Sequence, residues 1–317
     1  MSGFKIYMSK LRSLIHLLRV RQYYKNILIF VGIFFSQRLF EVSLYPLLIL
    51  GFIMLCCASS FNYIINDLID IEHDKKHPEK MKKKPLASGQ LPIFYAVLLL
   101  LLIGGIMVSS LIFLIPNLIF ISMILLIIIT GQLYNHLFKN HAFIDILILS
   151  TGYLWRALAG CILIDEYVSA WLFLAIFEIA MFLSIAKRKA DLSFLGKDRA
   201  IEHKRVYDQY SVRLLDQFHS IIAASLFMTY SLYLTFKFNL LFDLDHVLVE
   251  QYIVIFTIPI SLYIIMRYMY LTSAKPEIKK KMEKAFLDKG IIIAGFCLFV
   301  ILSYSFYYQI IFDILFT

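Results

Sequence analysis

Residues 44–74 read LYPLLILGFIMLCCASSFNYIINDLIDIEHD, an apolar run that ends in Asn66-Asp67-Leu68-Ile69-Asp70-Ile71-Glu72-His73-Asp74. The apolar part, residues 44–66, is long enough as a helix to cross the roughly 30 Å hydrocarbon layer of a bilayer. Continued as a helix, the polar part places Asn66, Asp70 and Asp74 every four residues on one face, with Asp67 beside them. Carboxylates gathered on one face repel each other unless a positive group sits between them, and at a helix C-terminus they also oppose the helix dipole. Magnesium is the cation that oxygen ligands suit, and it commonly shares its shell with phosphate oxygens. A basic tract follows at once, with Lys75, Lys76, Lys80, Lys82, Lys83 and Lys84, and then Pro85-Leu86-Ala87-Ser88-Gly89, which has the look of a shaped phosphate loop. The stretch implies a magnesium–diphosphate site at a membrane surface, with Asn66, Asp67, Asp70 and Asp74 as metal ligands and Lys80 and Lys84 as phosphate contacts.

The rest of the chain repeats the membrane theme. It is 61% hydrophobic and 17% charged, with a mean hydropathy of +0.78, far more apolar than a water-soluble domain of this length requires. Nine apolar runs read as membrane helices: 23–36, 44–66, 93–115, 117–134, 143–163, 168–187, 218–238, 250–271 and 290–313. The expected architecture is therefore all-α and polytopic, one transmembrane domain over 1–317 with no soluble domain attached. No cleavable signal peptide is evident, because the first apolar run lies behind basic residues and lacks a small-residue cleavage site.

Charge orients the chain. Of its 31 Lys and Arg, 28 fall up to Lys25 at the start of the first run or in alternate loops after it, in 67–92, at Lys139, and in 187–213 and 267–289. The positive-inside rule then expects the N-terminus in the cytoplasm, the C-terminus outside and the acidic stretch on the cytoplasmic side. The net charge of +9 is mostly this topology signal, with some attraction to anionic lipid, and speaks against nucleic acid as a partner. Cys56, Cys57, Cys161 and Cys297 all lie in apolar runs and read as small packing residues. His73, His77 and His141 lack metal-ligand spacing. Two charges fall deep inside apolar runs, where a charge is costly and usually paired or functional: Arg156 and Glu178. A structural Arg156–Glu178 pair and a substrate contact by Arg156 are both open. Lys187, Arg188 and Lys189 are expected to end the sixth helix, where cations suit the dipole or could bind phosphate.

Asn66-Asp67-x-x-Asp70-x-Glu72-x-Asp74, followed by Lys84-Pro85-Leu86-x-Ser88-Gly89, resembles the first signature of the UbiA superfamily of intramembrane prenyltransferases. Arg19-x-Arg21-Gln22-Tyr23-x-Lys25-Asn26, His77-Pro78-x-Lys80, and Lys139…Asp145…Tyr153-Leu154-x-Arg156-Ala157-x-Ala159-Gly160 with the later Lys187-Arg188 resemble the branch of decaprenyl-phosphate 5-phosphoribosyltransferases. The resemblance implies a nine-helix UbiA-like bundle that transfers 5-phosphoribose from 5-phosphoribosyl diphosphate to a polyprenyl phosphate, with Mg2+ as cofactor and the bilayer as partner. It implies catalytic roles for Asp67, Asp70 and Asp74. It implies substrate contacts by Arg21, Lys25, Lys80, Lys84, Tyr134, Lys139, Arg156, Lys187 and Arg188. A homo-oligomer is compatible with it. The second aspartate-rich motif of ordinary prenyltransferases is missing after the fourth run, where Tyr134-Asn135-His136-Leu137-Phe138-Lys139-Asn140 stands. That departure favours phosphoribosyl transfer over the alternative, transfer of a prenyl chain from its diphosphate to an aromatic or other acceptor. A transporter would show broken helices and polar groups at the midplane, and the chain has only 12 Gly and seven Pro.

Overall fold

Pro46 stands in the first turn of the 25-residue helix Tyr45–Ile69, where its missing N–H costs nothing, and the far end of that helix delivers Asp67 and its neighbours. In the computed structural model, which describes residues 12–75, 81, 84–167, 169–238, 240, 252–280 and 282–316, this is the first of eight long helices. They are α1 (Tyr45–Ile69), α2 (Ile93–Phe113), α3 (Leu118–His136), α4 (Ile144–Leu163), α5 (Ala170–Leu195), α6 (Val212–Lys237), α7 (Thr257–Ala274) and α8 (Lys289–Phe316). No strand occurs among the described residues. Eight helical segments are long and apolar enough to cross a membrane, with mean hydropathies from 1.2 to 2.7, and side chains such as Leu101, Phe113, Leu118 and Phe296 are at least two-thirds exposed. Apolar surface on that scale is matched by lipid rather than water.

The ninth expected helix takes another form. Residues 20–30 coil as a 3-10 helix, Val20–Phe30, that continues into a short α-helix, Val31–Phe35. A second difference lies at the end of the sixth apolar run. Lys187, Arg188 and Lys189 do not end their helix, because α5 continues to Leu195 and stops at Gly196, whose φ of 76° favours glycine. Arg188 is neutralised by Asp145 and Lys189 by Asp216, so the helix can carry these cations inside its length.

The chain divides into two compact units, and the division runs through α4. The first unit comprises residues 1–137 and 151–167. Its core joins Ile29, Ile33, Leu48, Met54, Leu55, Phe120, Ile124, Ala159 and Leu163. Gly160 lets α4 approach the 3-10 segment closely, since a Cβ there would meet the Ile29 carbonyl oxygen at 1.8 Å. Asn117 starts α3 by accepting from the Phe120 amide at 3.0 Å. Asn62 ties α1 to α3, donating to the Ile127 carbonyl at 3.1 Å and accepting from Gln132 at 2.8 Å.

The second unit comprises residues 138–150 and 168–317. One core gathers Ile146, Ile185, Leu192, Val206, Tyr207 and Leu215, and another gathers Phe182, Ala186, Tyr268, Leu271, Ile278 and Ala285. Between α5 and α6 the chain forms the helix Lys197–His203 and the 3-10 turn Arg205–Gln209. Ser211 then caps α6, accepting from the Leu214 amide at 3.1 Å. Glu178, expected inside the membrane, is buried in α5 and accepts from Ser225 of α6.

Candidate functional site

In the first unit the acidic stretch does not continue as one helix. The α1 ladder closes with the Asp70 amide donating to the Asn66 carbonyl, Asp70 forms the turn, and a separate short helix runs over Ile71–Lys75. The break replaces the expected straight face of Asn66, Asp70 and Asp74. Asp67 and Asp74 are the two that become buried, 3% and 1% exposed, and they are bridged. Lys84 Nζ lies 2.9 Å from Asp67 Oδ1 and 2.5 Å from Asp74 Oδ2. Burial works against the charge on Lys84, but Asp74 and Asp67 outweigh it and hold the ammonium above the ordinary lysine value.

Arg19 completes this cluster. Its Nη2 donates to Asp67 Oδ1 at 2.8 Å, and its guanidinium lies 4.5 Å from the centre of the Tyr63 ring. Arg19 has a φ of 52°, an uncommon conformation for a non-glycine residue. Such strain is held in place by surrounding contacts and concentrates at functional sites. Asn66 Oδ1 is buried and has no hydrogen-bond partner among the described residues. A buried amide oxygen left unpaired beside two carboxylates fits a cation such as magnesium, whose ligands are oxygens.

The other expected site residues of this unit fall as follows. Arg21 is exposed, and Lys25 Nζ lies 5.8 Å from the centre of the Tyr153 ring. Tyr134 is half-buried near the end of α3. Lys80 lies outside the described residues. Arg156 has neutral partners within the unit: its Nε donates to Asn26 Oδ1 at 2.7 Å, its Nη2 to Ser59 Oγ at 3.3 Å, and its Nη1 to the Gly152 carbonyl. Arg156 and Glu178 thus each have partners within their own unit.

The second unit holds a cationic cluster. Arg188, 3% exposed, donates from Nε to Asp145 Oδ2 at 3.0 Å, and Tyr210 donates to Asp145 Oδ1 at 2.7 Å. Tyr207 donates to Asp191 at 2.7 Å, with the Arg188 guanidinium 5.8 Å from its ring centre. Lys187 is exposed and Lys139 is half-buried in the turn Phe138–Asn140. Lys204 reaches the surface, yet burial, then Arg188 and Lys187, bring its ammonium down to about 7 against the opposing pull of Asp145 and Asp191.

Sequence reasoning did not assign Arg19 and Lys204 to a site. Arg19 belongs to the Arg19-x-Arg21-Gln22 pattern, but its left-handed backbone and its reach to Asp67 across the chain leave no local trace. Lys204 is one of eight basic residues in 187–213, and only the folded turn distinguishes it.

The profile of the UbiA prenyltransferase family matches residues 26–290. The decaprenyl-phosphate phosphoribosyltransferase of Mycolicibacterium smegmatis is 29% identical over 230 residues, 70% of each chain. The enzyme of the same name from Mycobacterium tuberculosis is 26% identical over 221 residues, 68% of this chain and 72% of the other. Among solved structures, a UbiA homologue from Archaeoglobus fulgidus bound to GPP and Mg2+ superposes with a TM-score of 0.61 at 16% identity, covering 93% of this chain and 98% of that one. A digeranylgeranylglyceryl phosphate synthase superposes with a TM-score of 0.64 at 16% identity, covering 94% and 98%. At that identity the superpositions speak for the fold alone.

Proposed function

The chain belongs to the UbiA prenyltransferase family and is an integral membrane protein, and from that premise we propose that it transfers 5-phosphoribose from 5-phosphoribosyl diphosphate to a polyprenyl phosphate. The observation that carries the reading is the cluster at the end of α1, where Asp67 and Asp74 share Lys84, Arg19 lies on Asp67, and Asn66 Oδ1 is buried unpaired. Carboxylates, an amide oxygen and cations in one place suit a metal–diphosphate group. Relatives named decaprenyl-phosphate phosphoribosyltransferase support the choice of donor and acceptor.

In this reading a phosphate oxygen of the lipid bonds to C1 of the ribose as the bond from C1 to the diphosphate oxygen breaks. Diphosphate leaves with the electron pair. The nucleophile is already an anion, so no general base is needed, and catalysis is positioning plus electrostatic stabilisation of the leaving group. Asn66, Asp67, Asp70 and Asp74 would hold Mg2+, which when bound supplies charge neutralisation to the diphosphate. Lys84 and Arg19 turn from the carboxylates to phosphate oxygens, and Lys80 adds to them. Arg21 and Lys25 hold the lipid phosphate or the donor, and Arg156 reaches the donor phosphates. Lys139, Lys187 and Arg188 are kept as substrate contacts on the sequence resemblance alone. Tyr134 is a further substrate contact. We place this chemistry on the cytoplasmic face, with the N-terminus inside and the C-terminus outside, from the charge bias of the loops.

The test uses purified protein with radiolabelled 5-phosphoribosyl diphosphate, polyprenyl phosphate and Mg2+. Label is expected in the organic phase and is expected to vanish with a chelator. Consumption of a prenyl diphosphate, with no label moving to lipid phosphate, would overturn the reading in favour of prenyl transfer.

A further inference from the structure

The helix over residues 12–18 presents two unlike faces. Leu17 is fully buried against Ile64, Ile71, Leu86 and Leu91, and Leu14 and Leu18 pack on the same cluster. Arg12 and His16 follow at i and i+4, on a common side, and Arg19 stands just past the helix end in its left-handed turn. That side lines a cavity of about 460 Å³, whose wall also includes Arg21, Lys84 and Asp67. The apolar face anchors the helix, and Arg12 and His16 on the other face line the cavity.

The charges do not balance. Asp67 is the sole acidic residue of the lining among the described residues and already pairs with Arg19 and Lys84. Arg12, His16 and Arg21 have no carboxylate partner among the described residues. A cavity with surplus cations and a volume in the range of small-molecule sites selects an anion with more than one phosphate group. A donor with a diphosphate on C1 and a monophosphate on C5 presents two anionic ends to the cations of this lining.

We infer that Arg12 and His16 grip the 5-phosphate of the donor while Arg19 and Lys84 face its diphosphate, so that the N-terminal helix selects a phosphorylated pentose over other diphosphates. This rests on the function proposed above. A polyprenyl phosphate offers the same phosphate chemistry, and the experiment separates the two sources.

Binding of radiolabelled 5-phosphoribosyl diphosphate to the full chain in nanodiscs with Mg2+ is measured by equilibrium dialysis, with ribose 5-phosphate, inorganic diphosphate and a polyprenyl phosphate as competitors. The double variant Arg12→Gln/His16→Gln is expected to bind the donor about tenfold or more weakly, the loss of a charge-assisted phosphate contact. Ribose 5-phosphate should stop competing, while inorganic diphosphate competes as before. Arg12→Lys, which keeps the charge, should retain most of the affinity. A double variant that binds the donor like the parent overturns the inference and leaves the proposed function standing. Weaker binding of polyprenyl phosphate alone assigns the helix to the acceptor and overturns it too. A parent protein that binds no 5-phosphoribosyl diphosphate removes both readings.

Discussion

Lys84 holds two carboxylates together that would otherwise repel, and this sets what each substitution does. Asp67→Asn leaves Lys84 and Arg19 with less to pair against. Removing one partner of a fully buried pair costs on the order of 3–5 kcal/mol. Lys84 and Arg19 retain 22% and 34% of their side-chain exposure, so water offsets much of that loss. Asp67→Asn and Asp74→Asn are therefore expected to fold with a modestly lowered melting temperature while turnover drops about a hundredfold or more. Full turnover in the correctly inserted double variant would rule out a carboxylate site. Arg156 makes a different case, because its partners are an asparagine, a serine and a backbone carbonyl. Arg156→Met should weaken donor binding about tenfold or more. Glu178→Leu should not restore it, since Glu178 Oε1 accepts from Ser225 within its own unit. A stable and active Arg156→Met/Glu178→Leu protein would make the arginine purely structural.

Among the elements, the segment 20–35 was the least legible in sequence. A 3-10 helix of 11 residues is longer than most, and its apolar residues read as one face of an α-helix, so the 3-10 form leaves no local signal. Its rise of about 2.0 Å per residue, followed by five α-helical residues, gives a reach of about 30 Å, comparable to the hydrocarbon thickness. The segment depends on close contact with α4 at Gly160. Gly160→Val would push atoms into the Ile29 carbonyl, and overpacking of this kind costs roughly 1–3 kcal/mol or more. A clearly lowered melting temperature in detergent is expected, and an unchanged one would show that the contact is loose. The turn between α5 and α6 yields a pH dependence. Lys204 titrates near 7 instead of the usual 10.5, so its charge is present below 7 and lost as the pH rises through it. Should it bind donor phosphate, affinity falls from pH 7 to 8.5, although a bound phosphate moves the loss upward. Lys204→Met should bind more weakly at pH 6.5 and show a flatter profile. An unchanged profile in that variant would remove Lys204 from the site.

On the scale of the whole molecule, the apolar runs carried most of the fold, because a membrane helix must satisfy its backbone internally and present apolar side chains throughout. That constraint makes helices such as α2 and α3 visible without any partner. What escaped were features made by contacts distant in sequence, such as Arg19 on Asp67 and the bend at Asp70 that brings Asp74 to Lys84. The division through α4 also gives no local signal, since both halves of that helix are equally apolar. Orientation rests on 28 of the 31 basic residues lying in segments that alternate crossings assign to one side. Translocating each of those charges is unfavourable, and the same side holds the acidic stretch, so orientation and site stand together. Single cysteines placed at Ser88 and at Lys197, in a background with the native cysteines replaced, should resist a membrane-impermeant maleimide added to intact cells and react after permeabilisation. Cysteines at Arg38 and Tyr167 should react from outside without permeabilisation. Tyr167 is fully exposed, so failure to label there cannot be ascribed to burial within the protein. External labelling at Ser88 would turn the chain over in the membrane, place the phosphate cluster on the outer face, and separate it from any donor made in the cytoplasm.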